Sequence, residues 1–193
     1  MNNSALDFTI TLAQANDSPY PASALMVTAL QQAEISARQN KLAIPFDDLV
    51  GEWRLCFATG AKKSKQGRGI VLGSGYYVPK FVLASIAFTR DSASSITGTA
   101  TNQLYLGGLR IKFNGPCRYP GKKNLLVFDF TEIQISLFDR TVYQGKIRGG
   151  KSDAPSFEAQ SIAKLPFFAF YWAGKNEISA RGRGGGLALW VRQ

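Results

Sequence analysis

The chain contains no histidine among its 193 residues. That absence removes histidine acid–base catalysis, Ser-His and Cys-His nucleophile pairs, and imidazole metal ligation. Cysteine is nearly as scarce. Cys56 and Cys117 are the only two, too few for a metal-ligand pattern and, without a secretory signal, expected as reduced thiols. No apolar run reaches the about 18 residues of a helical bilayer span. Met1–Ser18 lacks the basic and apolar regions of a secretory signal, and Arg38 is the first basic residue, which argues against a transit peptide. The glycine-rich stretches carry no nucleotide fingerprint: Gly73 comes one residue too late after Gly67-Arg68-Gly69, and no P-loop lysine follows a glycine run. These absences point away from an enzyme; no catalytic residue, cofactor or metal is expected.

Acid is also in short supply. Thirteen Asp and Glu stand against 23 Lys and Arg, a net charge of +10. Such a surplus calls for a polyanionic partner: nucleic acid, an anionic membrane surface or an acidic protein. Between Trp53 and Phe128 there is one acid, Asp91. In that stretch "AKKSKQGRGIVLGSGYYVPKF" sets Lys62, Lys63, Lys65 and Arg68 near Tyr76 and Tyr77. Cations meeting head groups, with aromatics at the boundary, suit a membrane interface. Each cation contributes only about 1 kcal/mol there, so stable docking would need the tyrosines to insert. The plain alternative is a solvated loop.

What is present is patterned for one domain. Residues 1–21 read as an N-terminal segment and 22–193 as a single unit. Met26, Leu30, Ala33 and Ala37 recur at helical spacing, which predicts an amphipathic helix over 22–39, opened by Ser18 as N-cap and Pro19 at the first helical position. From Gly51 the period becomes two. Trp53, Leu55 and Phe57 alternate with polar residues, as do Leu109, Ile111 and Phe113, and Ile133, Ile135 and Leu137. Further strands are predicted near 81–88, 95–105, 126–130, 142–148, 157–163, 167–172 and 177–180. Phe128 and Phe130 would point away from Ile133 and Ile135 in an unbroken strand; a β-bulge at Thr131-Glu132 reconciles them. Roughly eight to ten strands behind one helix predict a mainly β, closed or nearly closed antiparallel barrel over 51–192.

The closing "ISARGRGGGLALWVRQ" has two opposed readings. As an RGG tract it would bind RNA from a disordered tail. As a hairpin, its glycines supply the positive φ of a tight turn between Ile178 and the apolar strand Leu187–Val191. Core-like residues on both sides favour the hairpin.

Two stretches resemble a known family. "LVGEWRLCFATGAKK" is similar to the L-x-G-x-W-x-L-x-Y-T-S stretch of the plastid lipid-associated (fibrillin) proteins, with Gly51, Trp53 and Leu55 matching and Phe57 replacing Tyr. "FYWAGKNEISARGRGGGLALWVRQ" resembles that family's C-terminal end through Tyr171, Ile178, Arg181 and Gly182, with one extra residue before Arg181. Arg183 stands where many members carry Asp. The resemblance implies a compact, cyanobacterial-type member with a lipocalin-like barrel in which Trp53 closes one end under a late arginine, Arg181 or Arg192. It further implies peripheral attachment on the cytoplasmic side of the thylakoid membrane. The implied role is non-catalytic binding of a lipid, prenylquinone or carotenoid, with photoprotection as the physiology.

The residues expected to face such a ligand are Phe57, Phe113, Phe128, Phe130, Phe168, Phe170, Tyr171 and Arg181, although plain core packing explains an aromatic cluster equally well. Two other functions compete. A nucleic-acid binder would use the charge, but Arg110 and Lys112 alternate with internal-looking residues and so disfavour it. A tetrapyrrole- or lipid-metabolising enzyme would use Cys56 or Cys117.

Overall fold

The computed structural model describes residues 20–63, 70–147 and 157–193. Helix α1 (Ser23–Gln39) lies N-terminal to the strands. Its Ala22 N-cap makes no side-chain capping bond. The helix bounds match the predicted 22–39; Ser18 and Pro19, the predicted N-cap and first helical position, fall outside the described residues. Then come β1 (Gly51–Ala58), β2 (Ala61–Lys63), β3 (Ile70–Leu72), β4 (Tyr76–Tyr77), β5 (Leu83–Arg90), β6 (Thr97–Leu106) and β7 (Leu109–Arg118). The remainder are β8 (Leu125–Phe128), β9 (Glu132–Leu137), β10 (Arg140–Lys146), β11 (Phe167–Ala173), β12 (Glu177–Gly182) and β13 (Leu187–Arg192).

Eight of these strands close a barrel in the order β7-β6-β5-β1-β13-β12-β11-β8, with β8 pairing back onto β7. Closure leaves those strands without an open edge. The β9–β10 hairpin continues from β8 along the other half of β7. Cys117 faces Phe128 across the ladder, but Phe113 faces Ile133, so one extra residue sits between β8 and β9. A bulge is therefore present as predicted, but it lies over 129–131 rather than at Thr131-Glu132, since Glu132 is regularly paired with Asn114. Gly115 makes it possible: a Cβ there would lie 1.9 Å from the Asp129 carbonyl oxygen.

The predicted strand over 157–163 is corrected. Phe157–Ala159 and Ile162–Lys164 are short 3-10 turns. In the closed barrel β11 already has β8 and β12 as neighbours, leaving no edge for another strand. Two guanidinium groups satisfy this segment's carbonyls instead. Arg118 donates to Glu158 and Gln160, and Arg183 to Ala163, Lys164 and Leu165.

The barrel wall separates two cores. Inside lie Trp53, Phe88, Leu126, Phe128, Phe170, Ile178 and Trp190. Outside, α1 lays Met26, Leu30 and Ala33 over Cys56, Phe57, Tyr171, Leu187, Leu189 and Val191. Ile44, Phe46 and Leu49, from the segment joining α1 to β1, close the lower end. The Trp53 indole donates to the Leu49 carbonyl at 2.8 Å, and the Arg192 guanidinium stacks 3.9 Å above its ring. Of the two arginines expected there, Arg192 fills the place. Gly51 admits it, since a Cβ would meet the guanidinium and φ is +135°.

The C-terminal glycines form the hairpin turn between β12 and β13, with Arg181 opposite Leu187. Both arginines of the apparent RGG tract bond to other parts of the same chain. Arg183 holds the carbonyls above, and Arg181 binds Glu34 of α1.

Candidate functional site

The predicted ligand residues do not form one site. Phe113, Phe130, Phe128 and Phe168 make a continuous row with Trp190, at ring centroid separations of 5.8, 5.0, 5.2 and 5.3 Å, and Phe170 follows at 6.2 Å from Phe168. Phe128, Phe170 and Trp190 of this row are buried in the barrel interior, while Phe130 and Phe168 pack against them half-buried and Phe113 is half-buried at the row's end. Phe57 and Tyr171 lie on the other side of the wall, beneath α1. The prediction that Phe57 shares a face with Trp53 and Leu55 is corrected. The β1–β13 register shifts between Leu55 and Phe57, so Cys56 and Phe57 both reach the helix side. Tyr171 follows the inward-facing Phe170 and faces α1 by simple alternation, and a second shift between Phe170 and Trp172 brings Trp172 to the same side. One inserted residue reverses alternation beyond it.

A cavity lies on this outer side. A groove of about 670 Å3 runs between the end of α1, the 41–43 segment, the 121–125 loop and β11. Ala37, Leu42, Leu125 and Ala169 contribute apolar lining, and Arg38, Lys41 and Lys123 supply cations. The volume falls in the ordinary range for small-molecule sites. Sequence spacing could not show it, because its walls come from three segments far apart in the chain, 34–43, 121–125 and 169–171.

The groove's construction is specific. Asn124 ties the 42–44 segment to the barrel: its amide donates to the Leu42 carbonyl at 2.7 Å and accepts from the Ile44 N–H at 3.0 Å. Tyr119 donates to the Ile44 carbonyl at 2.8 Å. Lys41, Lys123 and Asn124 all have positive φ, at 51°, 58° and 49°. Such backbone is uncommon for lysine and concentrates where a loop is over-determined by its surroundings.

At the side wall, Arg181 grips Glu34 in a two-pronged ion pair, with Nε donating to Oε1 at 2.7 Å. Its remaining nitrogen donates to the Gly185 carbonyl. The Tyr171 hydroxyl is buried beside this pair, near the Ser179 hydroxyl but without a partner at hydrogen-bond distance. Burial, reinforced by Glu34, pushes its phenol well above the ordinary range.

The predicted docking residues divide as well. Lys62 and Lys63 lie on β2, paired with β3 in a small ribbon rather than a loop. Lys65, Arg68 and the Lys63 side chain lie outside the described residues. Tyr76 is 59% exposed. Tyr77 is turned inward, stacked on Tyr20 at 4.5 Å, set edge-on to Phe57 at 4.8 Å, and donating to the Pro21 carbonyl. Desolvation pushes its phenol up to about 12. It anchors the start of α1 and is not presented for insertion.

Cys56 and Cys117 are both buried. Desolvation raises both thiols, Cys117 to about 12. Among the described residues no group of three or more Cys, Asp or Glu side chains gathers to hold a metal. None of their helices is long and apolar enough to cross a membrane. Comparison with protein-family models, with curated proteins and with solved structures returns no match in any of the three.

Proposed function

We propose that this protein is a non-catalytic, lipid-associated barrel that holds a hydrophobic small molecule with a polar or anionic end. Lipid, prenylquinone and carotenoid are the ligand classes that the fibrillin-type motifs imply. With those motifs come peripheral association with an anionic thylakoid surface and a photoprotective role. The observation that carries the reading is the groove, where apolar lining meets Arg38, Lys41 and Lys123. The barrel interior, by contrast, is packed with its own aromatic side chains. Aliphatic or isoprenoid substance would lie over Leu125 and Ala169, and the cations would meet its polar end. Two deeply buried thiols held in their protonated forms offer little thiolate for covalent pigment attachment, which favours binding over catalysis.

The test is mass spectrometry of the organic extract of protein purified from its native source, beside an Ala169→Trp variant. Ala169 lies opposite Leu125 and Arg181 across the sheet, so an indole there fills the groove from its floor. A stoichiometric lipophile in the wild type, lost in the variant, is expected. An equal load in both would place the ligand elsewhere, and an empty wild type would refute ligand holding.

A further inference from the structure

At the upper end of the barrel, β6 and β7 meet in the two-residue turn Gly107-Gly108, and β9 and β10 meet in Phe138-Asp139. All four residues have positive φ, as type I′ hairpin turns require at both positions. Because β7 pairs with both β6 and β9, the two tips stand side by side, with Leu109 opposite Leu137. The Phe138 N–H donates to the Gly108 carbonyl at 2.8 Å, and its ring rests where a Gly108 side chain would be.

This arrangement is odd for a structural turn. Asparagine or glycine is the usual occupant of a left-handed hairpin position, and a bulky aromatic there is a genuine outlier. Burial does not explain the choice, since Phe138 is 74% exposed. Leu106, Leu109 and Leu137 around it are exposed too. Just behind this apolar crest stand Arg110 and Arg140; the nearby acid, Asp139, is paired with Arg110 at 3.4 Å. Strand directions put the crest at the same end as the β1–β5 connection, which carries Lys62, Tyr76 and the exposed Phe81.

We propose that the paired tips are a wedge that inserts Leu106, Leu109, Leu137 and Phe138 into the interfacial zone of an anionic bilayer. Arg110 and Arg140 then meet the phosphate plane and the barrel stands end-on. Two turns side by side form a narrow convex ridge. That shape enters a fluid interface readily and offers little of the roughly 800 Å2 per partner that a stable protein contact covers. Apolar residues at the crest with cations behind match the layering of the interface. The inference rests on the membrane association proposed above and reassigns its inserting residues from Tyr76 and Tyr77 to the hairpin tips.

The experiment is co-sedimentation of the full chain with vesicles of phosphatidylcholine alone or mixed with phosphatidylglycerol. Phe138→Asn, Phe138→Asn with Leu106→Ser, and Tyr76→Ser are compared with the wild type. Wild type should bind the anionic vesicles, and the double variant should bind at least about thirtyfold more weakly. Phe138→Asn should leave the melting temperature unchanged or raise it, because asparagine suits the left-handed turn; a purely structural role would lower it. Wild-type binding lost in Tyr76→Ser but kept in the double variant overturns the wedge and leaves membrane association standing. Absence of wild-type binding to either vesicle overturns both. A concentration-dependent dimer that Phe138→Asn dissolves, without vesicle binding, would show that a second copy covers the crest and overturn the wedge as well.

Discussion

The grip of Arg181 on Glu34 joins α1 to the barrel, and its removal should loosen the side wall of the groove. Arg181→Met keeps most of the aliphatic stem and deletes the guanidinium. It removes the two-pronged bond to Glu34 and the bond to the Gly185 carbonyl. Glu34 is left 14% exposed, with Arg38 at 3.5 Å as its remaining ion-pair partner. Breaking a fully buried pair costs about 3–5 kcal/mol. The Arg181 side chain is 25% exposed, so solvent screening lowers the expected loss to about 2–3 kcal/mol. For a chain of this size that is a fall of about 8 °C in melting temperature. Glu34→Gln should cost less, about 1.5 kcal/mol, because the amide still accepts one hydrogen bond. Urea unfolding of the wild type, both single variants and the double variant gives the coupling energy directly. We expect about 1.5 kcal/mol. Coupling below about 0.5 kcal/mol would mean that the pair is a screened surface contact and that apolar burial alone holds the helix.

Two further predictions concern the wall and the buried acids. Gly115→Ala places a Cβ 1.9 Å from the Asp129 carbonyl oxygen, which is backbone and yields little, so a loss of about 3 kcal/mol or more is expected. Gly60→Ala, with open space around it, should change the unfolding midpoint little; equal effects of the two would refute the bulge constraint. The Cys56, Cys117, Tyr77, Tyr119 and Tyr171 acids are all raised by burial. Their stabilising protonated forms persist while the unfolded chain ionises, so stability is complete below the ordinary thiol value of 9.0. It falls as pH rises toward about 12, the folded value of Cys117 and Tyr77. Each such group approaches a slope of about 1.4 kcal/mol per pH unit within its window. Denaturant unfolding between neutral pH and about pH 10.5 should show the decline, Cys117→Ser should lessen it, and a flat profile would refute it.

Much of the architecture followed from local chemistry that the sequence carries openly. The switch from helical spacing at Met26, Leu30 and Ala33 to alternation after Gly51 determined one helix before a β domain. The clash of parity between Phe128 and Ile133 required a bulge, and Gly115 is what allows it. The closing glycines had to be a turn because apolar strands flank them. The absence of histidine excluded its whole chemistry at once.

Only the tertiary structure decided which face each aromatic occupies. Bulges after Leu55 and Phe170 carry Phe57 and Trp172 to the helix side, and a bulge leaves no mark in hydrophobic alternation when both faces of the sheet are buried. Closure likewise decided that residues 157–163 form no strand, since pairing partners are a property of the whole barrel. The groove and the paired hairpin tips arise from segments far apart in the chain. Their chemistry was present in single residues such as Lys123 and Phe138, but only folding brings those residues to their neighbours.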